Sequence, residues 1–215
     1  MNFEPLNKSL EGEILTDEIS RRLYATDASA YREIPIAVAF PKTEEDLVKL
    51  IQFARLNKTS LIPRTAGTSL AGQVVGAGIV VDVSIHFNQL IEINAGEKWA
   101  IVEPGIVRDD LNQALKPHGF YFAPETSTAN RAMIGGMIGN NSCGSNSVIY
   151  GSTREHLLEV NVLLSDGSKV QFGPVKPEEF FRRVKHQDSL ENSLYGHIYG
   201  VLANEENLRE IEKEF

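Results

Sequence analysis

From Leu61 to Ser84 the chain reads LIPRTAGTSLAGQVVGAGIVVDVS, and its residue types suit the binding of an anion. Four glycines, Gly67, Gly72, Gly76 and Gly78, allow close backbone approach, so successive N–H groups can converge on one negatively charged group. Arg64 precedes them, Thr65, Thr68 and Ser69 add hydroxyl donors, and no residue of the loop is acidic. Glycines between two strands also occur in ordinary surface loops. The cation, the hydroxyls and the lack of carboxylates favour a phosphate over that alternative. The loop has no Gly-Lys-Ser/Thr ending of a nucleoside-triphosphate loop, and it leads into the strand GIVVDVS rather than the helix of a dinucleotide fingerprint.

A second stretch, APETSTANRAMIGGMIGNNSCGSNSVIYGSTREH, covers residues 123–156. Pro124 closes an apolar segment predicted as a strand, and polar residues able to contact the edge of a heterocycle follow. Gly135, Gly136 and Gly139 would let a flat ring or phosphate lie against bare backbone, with neutral donors from Asn140, Asn141, Ser142 and Ser145. A Gly/Asn/Ser linker has similar composition, but Ile134, Met137 and Ile138 anchor this one. Cys143 has no neighbouring His or acid to activate it and reads as a small packed thiol. His86, His118, His156, His186 and His197 show no metal-ligand spacing, so no local zinc or iron–sulfur motif is encoded.

The elements that position these stretches can be read from periodicity. Leu15 to Leu23 is predicted as a helix capped by Thr16, and Ile36 to Phe40 as a buried strand. PKTEEDLVKLIQFARLNK is the clearest helix, with Thr43 and Asp46 approximating a capping box and Leu47, Leu50, Ile51 and Ala54 forming one apolar stripe. The order strand, helix, strand, glycine loop, strand implies a small βαβ-type unit with Arg64 to Gln73 at a strand's carboxyl end. FNQLIEIN and KWAIVEPG then read as a hairpin, VRDDLNQALKPHG as a helix, and the segment around Ser165-Asp166-Gly167 as a strand pair with His156 at its start. Residues from about 176 to 215 read as mostly helical and strongly charged. Arg182, Arg183 and Lys185 read as an exposed helix face rather than an anion patch.

With 215 residues the chain is one large domain or two small ones, and its 42% apolar and 23% charged content is that of a globular protein. A formal net charge of −8 without a Lys/Arg cluster argues against a nucleic-acid partner. The start, MNFEPLNKSLEGEI, has no signal-peptide core, and no run of about 18 apolar residues is present to span a membrane. One cysteine excludes an intrachain disulfide, compatible with a cytoplasmic location or a peripheral one at the inner membrane.

PRTAGTSLAGQ resembles the pyrophosphate loop of the FAD-linked oxidases of the vanillyl-alcohol oxidase (p-cresol methylhydroxylase) type, and the second stretch resembles that family's other flavin-contacting segment. The nearest resemblance is to D-lactate dehydrogenase and glycolate oxidase subunit-like proteins, including the long FAD and iron–sulfur forms. YATDASAYREIP resembles the segment leading into the flavin domain of D-2-hydroxyacid members. The implied fold is α+β with two flavin-binding subdomains: residues 1–90, a small βαβ-type unit, then residues 91–215, a mainly antiparallel sheet with helices, C-terminally incomplete. Carried over, the resemblance assigns the pyrophosphate to Arg64, Thr65, Ala66, Gly67, Thr68, Ser69, Gly72 and Gln73. It assigns the isoalloxazine and ribityl portion to Pro124, Glu125, Ser127 and Thr128, the diphosphate also to Gly135 and Gly136, and the rest of the cradle to Asn140, Asn141, Gly144, Tyr150, Gly151 and Thr153. Glu125 stands where many relatives have Asp, and His156 is assigned local hydrogen bonding beside the flavin. Thr68 and Ala123 stand where covalent relatives carry the flavin-linking His and Cys, so the implied FAD is noncovalent.

The resemblance further implies a D-2-hydroxyacid oxidation, of the D-lactate or glycolate type, with hydride passing to flavin N5. The chain lacks the family's next Gly-Ser-Glu-Gly-Thr-Leu-Gly strand and cap domain, so the reading expects a fragment whose 2-hydroxyacid site and catalytic residues lie elsewhere. An electron acceptor or an iron–sulfur module would be the redox partner. Two alternatives remain open at this stage: a noncatalytic flavin-binding or interaction module, and a reductase like that of cell-wall precursor synthesis.

Overall fold

The computed structural model describes residues 1–186 and 188–214. Gln187 and Phe215, both within the predicted helical stretch, lie outside the described residues. Among the described residues no helix is long and apolar enough to cross a membrane. The chain forms two compact units, Met1–Leu157 and a second from Leu158 onward.

The first unit begins with helix α1 (Glu4–Ser9), strand β1 (Glu13–Leu15) and helix α2 (Glu18–Leu23). The predicted helix over residues 15–23 is therefore shorter. Leu15 pairs with Val38 in an antiparallel ladder, and Asp17, not Thr16, caps the helix by accepting from Ser20 N at 3.0 Å. Strand β2 (Ala37–Phe40), helix α3 (Glu44–Leu56), strand β3 (Leu61–Arg64) and strand β4 (Ile79–Asp82) follow. The sheet order is β1-β2-β4-β3, with β4 parallel to both its neighbours. The predicted βαβ unit is thus present, with β4 inserted between the two strands that α3 connects.

Helix α3 shows why the sheet holds together. Thr43 Oγ1 accepts from Asp46 N at 3.2 Å, as an N-cap should. Asp46 does not return the bond to Thr43 as a capping box would. Its wholly buried carboxylate accepts from Lys42 N, Glu11 N and Gly12 N at 2.9–3.0 Å, so the shorter acid pins the N-terminal segment to the helix. Leu50 is fully buried and packs with Ala37, Ala39, Ile79 and Val81, while Leu47 covers the margin of this core. Burying one such leucine contributes about 1.5–3 kcal/mol.

A second core in the same unit lies under the hairpin of β5 (Leu90–Asn94) and β6 (Trp99–Val102) and helix α4 (Arg108–Leu115). Ile106, Leu111, Leu115, Ala132, Ile134 and Met137 form it. The hairpin and helix follow the sequence reading, with Gly119 (φ +75°) closing the helical segment. Residues 120–124 join no ladder, so the strand predicted before Pro124 is absent. Arg108 and Asn112 satisfy this segment's backbone instead: Asn112 bonds Phe122 O and N, and Arg108 donates to Phe122 O and Pro124 O. Helices α5 (Ile134–Gly139) and α6 (Ser147–Tyr150) complete the unit.

The second unit contains strands β7 (Val160–Leu163) and β8 (Lys169–Phe172), paired around the predicted turn, and helices α7 (Pro177–Lys185), α8 (Leu190–Leu202) and α9 (Glu205–Glu214). The strand predicted to start at His156 begins at Val160, because Thr153–His156 forms a 3₁₀ turn with Glu155 bonded back to Ser152. Phe180 and Phe181 pack edge-on against Tyr199, and Arg182 and Arg183 both pair with Glu179. Those ion pairs fit a helix-face reading of the basic run.

Candidate functional site

The glycine loop leaves the sheet at Arg64 and returns at Ile79, so both its ends are fixed on neighbouring parallel strands. Gly67 (φ +66°) and Gly72 (φ +70°) occupy the left-handed region that disfavours other residues. At Ser69 the loop folds back on itself: its hydroxyl donates to Gln73 Oε1 at 2.7 Å and accepts from Ala71 N and Gln73 N. Among the described residues, the backbone N–H groups of Ala66, Gly67, Thr68 and Ser69 donate to no protein acceptor. Four free amides on one short loop can take up the oxygens of a phosphate.

Arg64 is held by residues that precede β2. Its Nη1 donates to Thr26 O at 2.7 Å, its guanidinium lies 5.1 Å over the Tyr24 ring, and a side chain at Gly67 would collide with it at 2.4 Å. The arginine therefore packs against the loop at Gly67.

The second stretch meets the loop at two points. Gln73 Nε2 donates to Asn140 Oδ1 at 2.7 Å, and a Cβ at Gly136 would lie 2.7 Å from Thr65 Oγ1. Gly136 thus lets α5 approach the loop. Gly135 faces elsewhere, against Pro104, where a Cβ would come within 2.5 Å. Asn141 (φ +45°) accepts from Ser152 Oγ and Arg154 N, both at 2.9 Å, which draws residues 152–154 onto the same face. Thr153 is buried and its hydroxyl donates to Ser142 O at 2.7 Å, so it shapes this turn from within.

Pro124 is fully buried and its carbonyl is held by Arg108, whereas Glu125 and Thr128 are half-buried and Ser127 is exposed. Glu125 joins the assembly through Asn146 Nδ2 at 2.5 Å, and Gly144 permits contact because a Cβ there would overlap Glu125 O. Tyr150 meets Tyr121 edge-on, hydrogen bonding between the two side chains raises the Tyr121 phenol above its ordinary range, and Gly151 (φ +76°) turns the chain toward Glu155. Hydrogen bonds from Ser152, with Arg154 adding to them, lower the Glu155 carboxyl to about 2. His156 Nε2 lies 2.8 Å from Tyr150 O, a local bond of the kind the sequence suggested. Cys143 is exposed, correcting the packed-thiol expectation: the neighbouring Ser142 is the buried residue at that turn.

Three features escaped the sequence reading. Arg108 and Asn112 position residues 120–124 without any local motif. Tyr24 and Tyr31, within YATDASAYREIP, lie against Arg64 and Gly72 respectively. A cavity of about 400 Å³ lined by Ser84, Leu90, Gly105, Val107, Asp110 and Met133 lies outside the residues singled out above.

These segments have counterparts in known proteins. The family described as "FAD binding domain" matches residues 35–173. The chain is 43% identical over 172 residues to D-2-hydroxyglutarate dehydrogenase of Pseudomonas putida, covering 79% of this chain and 17% of that protein. It is 39% identical over 204 residues to the Escherichia coli K12 protein of the same name, covering 93% and 20%. With the glycolate oxidase subunit GlcD of Bacillus subtilis it shares 30% over 155 residues, 71% of this chain and 33% of that one. The chain thus spans about a fifth of the length of the D-2-hydroxyglutarate dehydrogenases quoted. The fold is shared with 6-hydroxy-D-nicotine oxidase of Arthrobacter nicotinovorans at TM-score 0.70 and 20% identity, over 84% of this chain and 39% of that one. It is shared with p-cresol methylhydroxylase at 0.65 and 16%, over 74% and 32%.

Proposed function

The chain belongs to the FAD binding domain family, and from that premise we propose that its loop 65–73 and its segment 124–153 together hold FAD noncovalently. The observation that carries the reading is the meeting of the two segments at Gln73–Asn140 and Thr65–Gly136. The free amides of Ala66 to Ser69 match an anionic diphosphate, and Gly136 keeps the cradle clear of side chains. Thr65 and Thr68 supply hydroxyl donors, Ser69 closes the loop with Gly72 and Gln73, and Arg64 adds its cation beside Gly67. Asn140, Asn141 and Gly144 continue the cradle toward Tyr150 and Gly151. Glu125, Ser127 and Thr128 would contact the ring and its ribityl chain, while Pro124, Gly135 and Thr153 set the backbone that carries them. Two separate cores support a division near Leu90 into two flavin-binding subdomains.

For the longer protein we propose oxidation of a D-2-hydroxyacid to the 2-oxoacid. FAD, when bound, supplies the hydride acceptor for that chemistry. This chain's residues orient the cofactor and fix its diphosphate; we assign them no catalytic proton transfer. The names of the relatives make D-2-hydroxyglutarate the first substrate to test, ahead of glycolate and D-lactate.

The test has two parts. Adding FAD to the purified chain should quench flavin fluorescence with one-to-one saturation, and unchanged fluorescence would overturn the cofactor assignment. D-2-hydroxyglutarate should bleach the flavin of the longer protein anaerobically. Bleaching by none of the three hydroxyacids would overturn the substrate class.

A further inference from the structure

Residues 24–32 precede the segment matched by the family, yet they reach both left-handed positions of the glycine loop, Gly72 directly through Tyr31 and Gly67 through Arg64, which Tyr24 and Thr26 hold. They form a closed turn: Thr26 bridges Arg32, and Glu33 N donates to Ala25 O at 2.9 Å. The turn is fastened to the sheet by Tyr24, whose hydroxyl donates to Asp82 Oδ2 at 2.7 Å across 58 positions of sequence. Asp82 is buried at the end of β4, directly opposite Arg64 in the parallel register. Burial and the Asp82 carboxylate raise the Tyr24 phenol well above its ordinary range, so the phenol is a neutral donor in this bond at neutral pH.

From this anchor two contacts reach the loop. Arg64, stacked over Tyr24 and bonded to Thr26 O, fills the space beside Gly67. The Tyr31 ring lies against Gly72, where a Cβ would come within 2.8 Å of it. Between them is Asp27: burial alone would raise its carboxyl, but hydrogen bonding from Ser29, whose amide donates to Oδ1 at 2.8 Å, holds it below the usual carboxylate range. None of these contacts takes up an amide of Ala66 to Ser69.

We infer that residues 24–32 are a strap that sets the loop in its diphosphate-binding conformation, with Tyr24 as the positioning residue. The inference rests on the FAD reading above and extends the site beyond the matched family segment. Tyr24→Phe keeps the ring for Arg64 and for the edge-on contact with Phe40, and removes only the Asp82 bond.

Amide hydrogen exchange of the FAD-free chain reads the loop directly. The variant should exchange about tenfold faster at residues 66–72 while residues 47–54 of α3 are unchanged. Its FAD dissociation constant should rise about tenfold, the loss expected for one hydrogen bond. The ³¹P resonances of bound FAD should shift, a signature that uniform destabilisation would not produce. Tyr31→Ala, at an exposed side chain, should reproduce the exchange effect at Gly72 without a risk to folding. Unchanged exchange at 66–72 in both variants would overturn the strap. If the native chain bound no FAD, the function proposed above would fall, and the exchange comparison would still decide whether the strap orders the loop.

Discussion

Gln73 Nε2 stands 2.7 Å from Asn140 Oδ1, and this single bond joins the loop after β3 to the end of α5 across 67 positions of sequence. Neither residue carries a charge, so the junction closes the cradle without adding a field that would compete for the diphosphate.

Gln73→Ala and Asn140→Ala should each weaken FAD binding about five- to tenfold, the scale of one neutral hydrogen bond. The double variant should lose little more than either single one, since both remove the same contact. Fluorescence titration of the four proteins forms the cycle, and fully additive losses would show that the two side chains act separately.

The glycines of α5 should divide by what surrounds them. Gly135→Ala forces a methyl group into Pro104 and should cost about 1–3 kcal/mol of stability. Gly139→Ala meets nothing within 4 Å and should be neutral or stabilise by up to about 1 kcal/mol. Gly136→Ala should chiefly weaken FAD binding by pressing on Thr65. Urea unfolding beside FAD titration distinguishes the three.

Asp46 should make stability acid-sensitive. Burial alone would raise its carboxyl, but the amides of Lys42, Glu11 and Gly12 outweigh it and hold the group below its ordinary 3.8. A folded-state value below the unfolded one means the contribution is present above about pH 4 and declines as pH falls toward the folded value. Asp46→Asn should lower stability at pH 7 by about 1–3 kcal/mol and flatten the acid limb of a plot of urea midpoint against pH. An unaltered acid limb would assign that dependence to other carboxylates.

Attachment of the cofactor is testable by denaturation. With Thr68 and Ala123 at the positions discussed, acid precipitation of the loaded protein should leave all flavin absorbance in the supernatant. Absorbance retained by the washed pellet would demonstrate a covalent link.

What could be read from sequence was what neighbours in sequence decide. The loop from Arg64 to Gln73 announced itself because its glycines, hydroxyls and cation are contiguous. Helix α3 did so because Leu47, Leu50 and Ala54 repeat at a helical interval. The placement of Arg64 against Gly67 depends on Tyr24 and Thr26, 40 and 38 positions away, and no local pattern encodes it. Strand β1 is three residues long and exists because β2 offers it an edge, which is why Leu15 looked helical in isolation. The segment before Pro124 has a strand's composition but takes its hydrogen bonds from Arg108 and Asn112, leaving no ladder. At Cys143, displacement by a single residue exchanged inside for outside: Ser142 took the buried place at the turn.

The terminal position of β3 in the sheet has one more consequence. Ile79 N bonds Ser60 O and Val83 N bonds Arg64 O, so the backbone groups of even-numbered residues point toward β4 and those of Pro63 point outward. Proline has no amide hydrogen to offer there, and a stray strand from another molecule that aligned along this margin would find a rung missing. The gateway to the glycine loop is thereby guarded against being zipped shut by polymerisation, a safeguard written into the backbone one residue before the arginine that supports the loop.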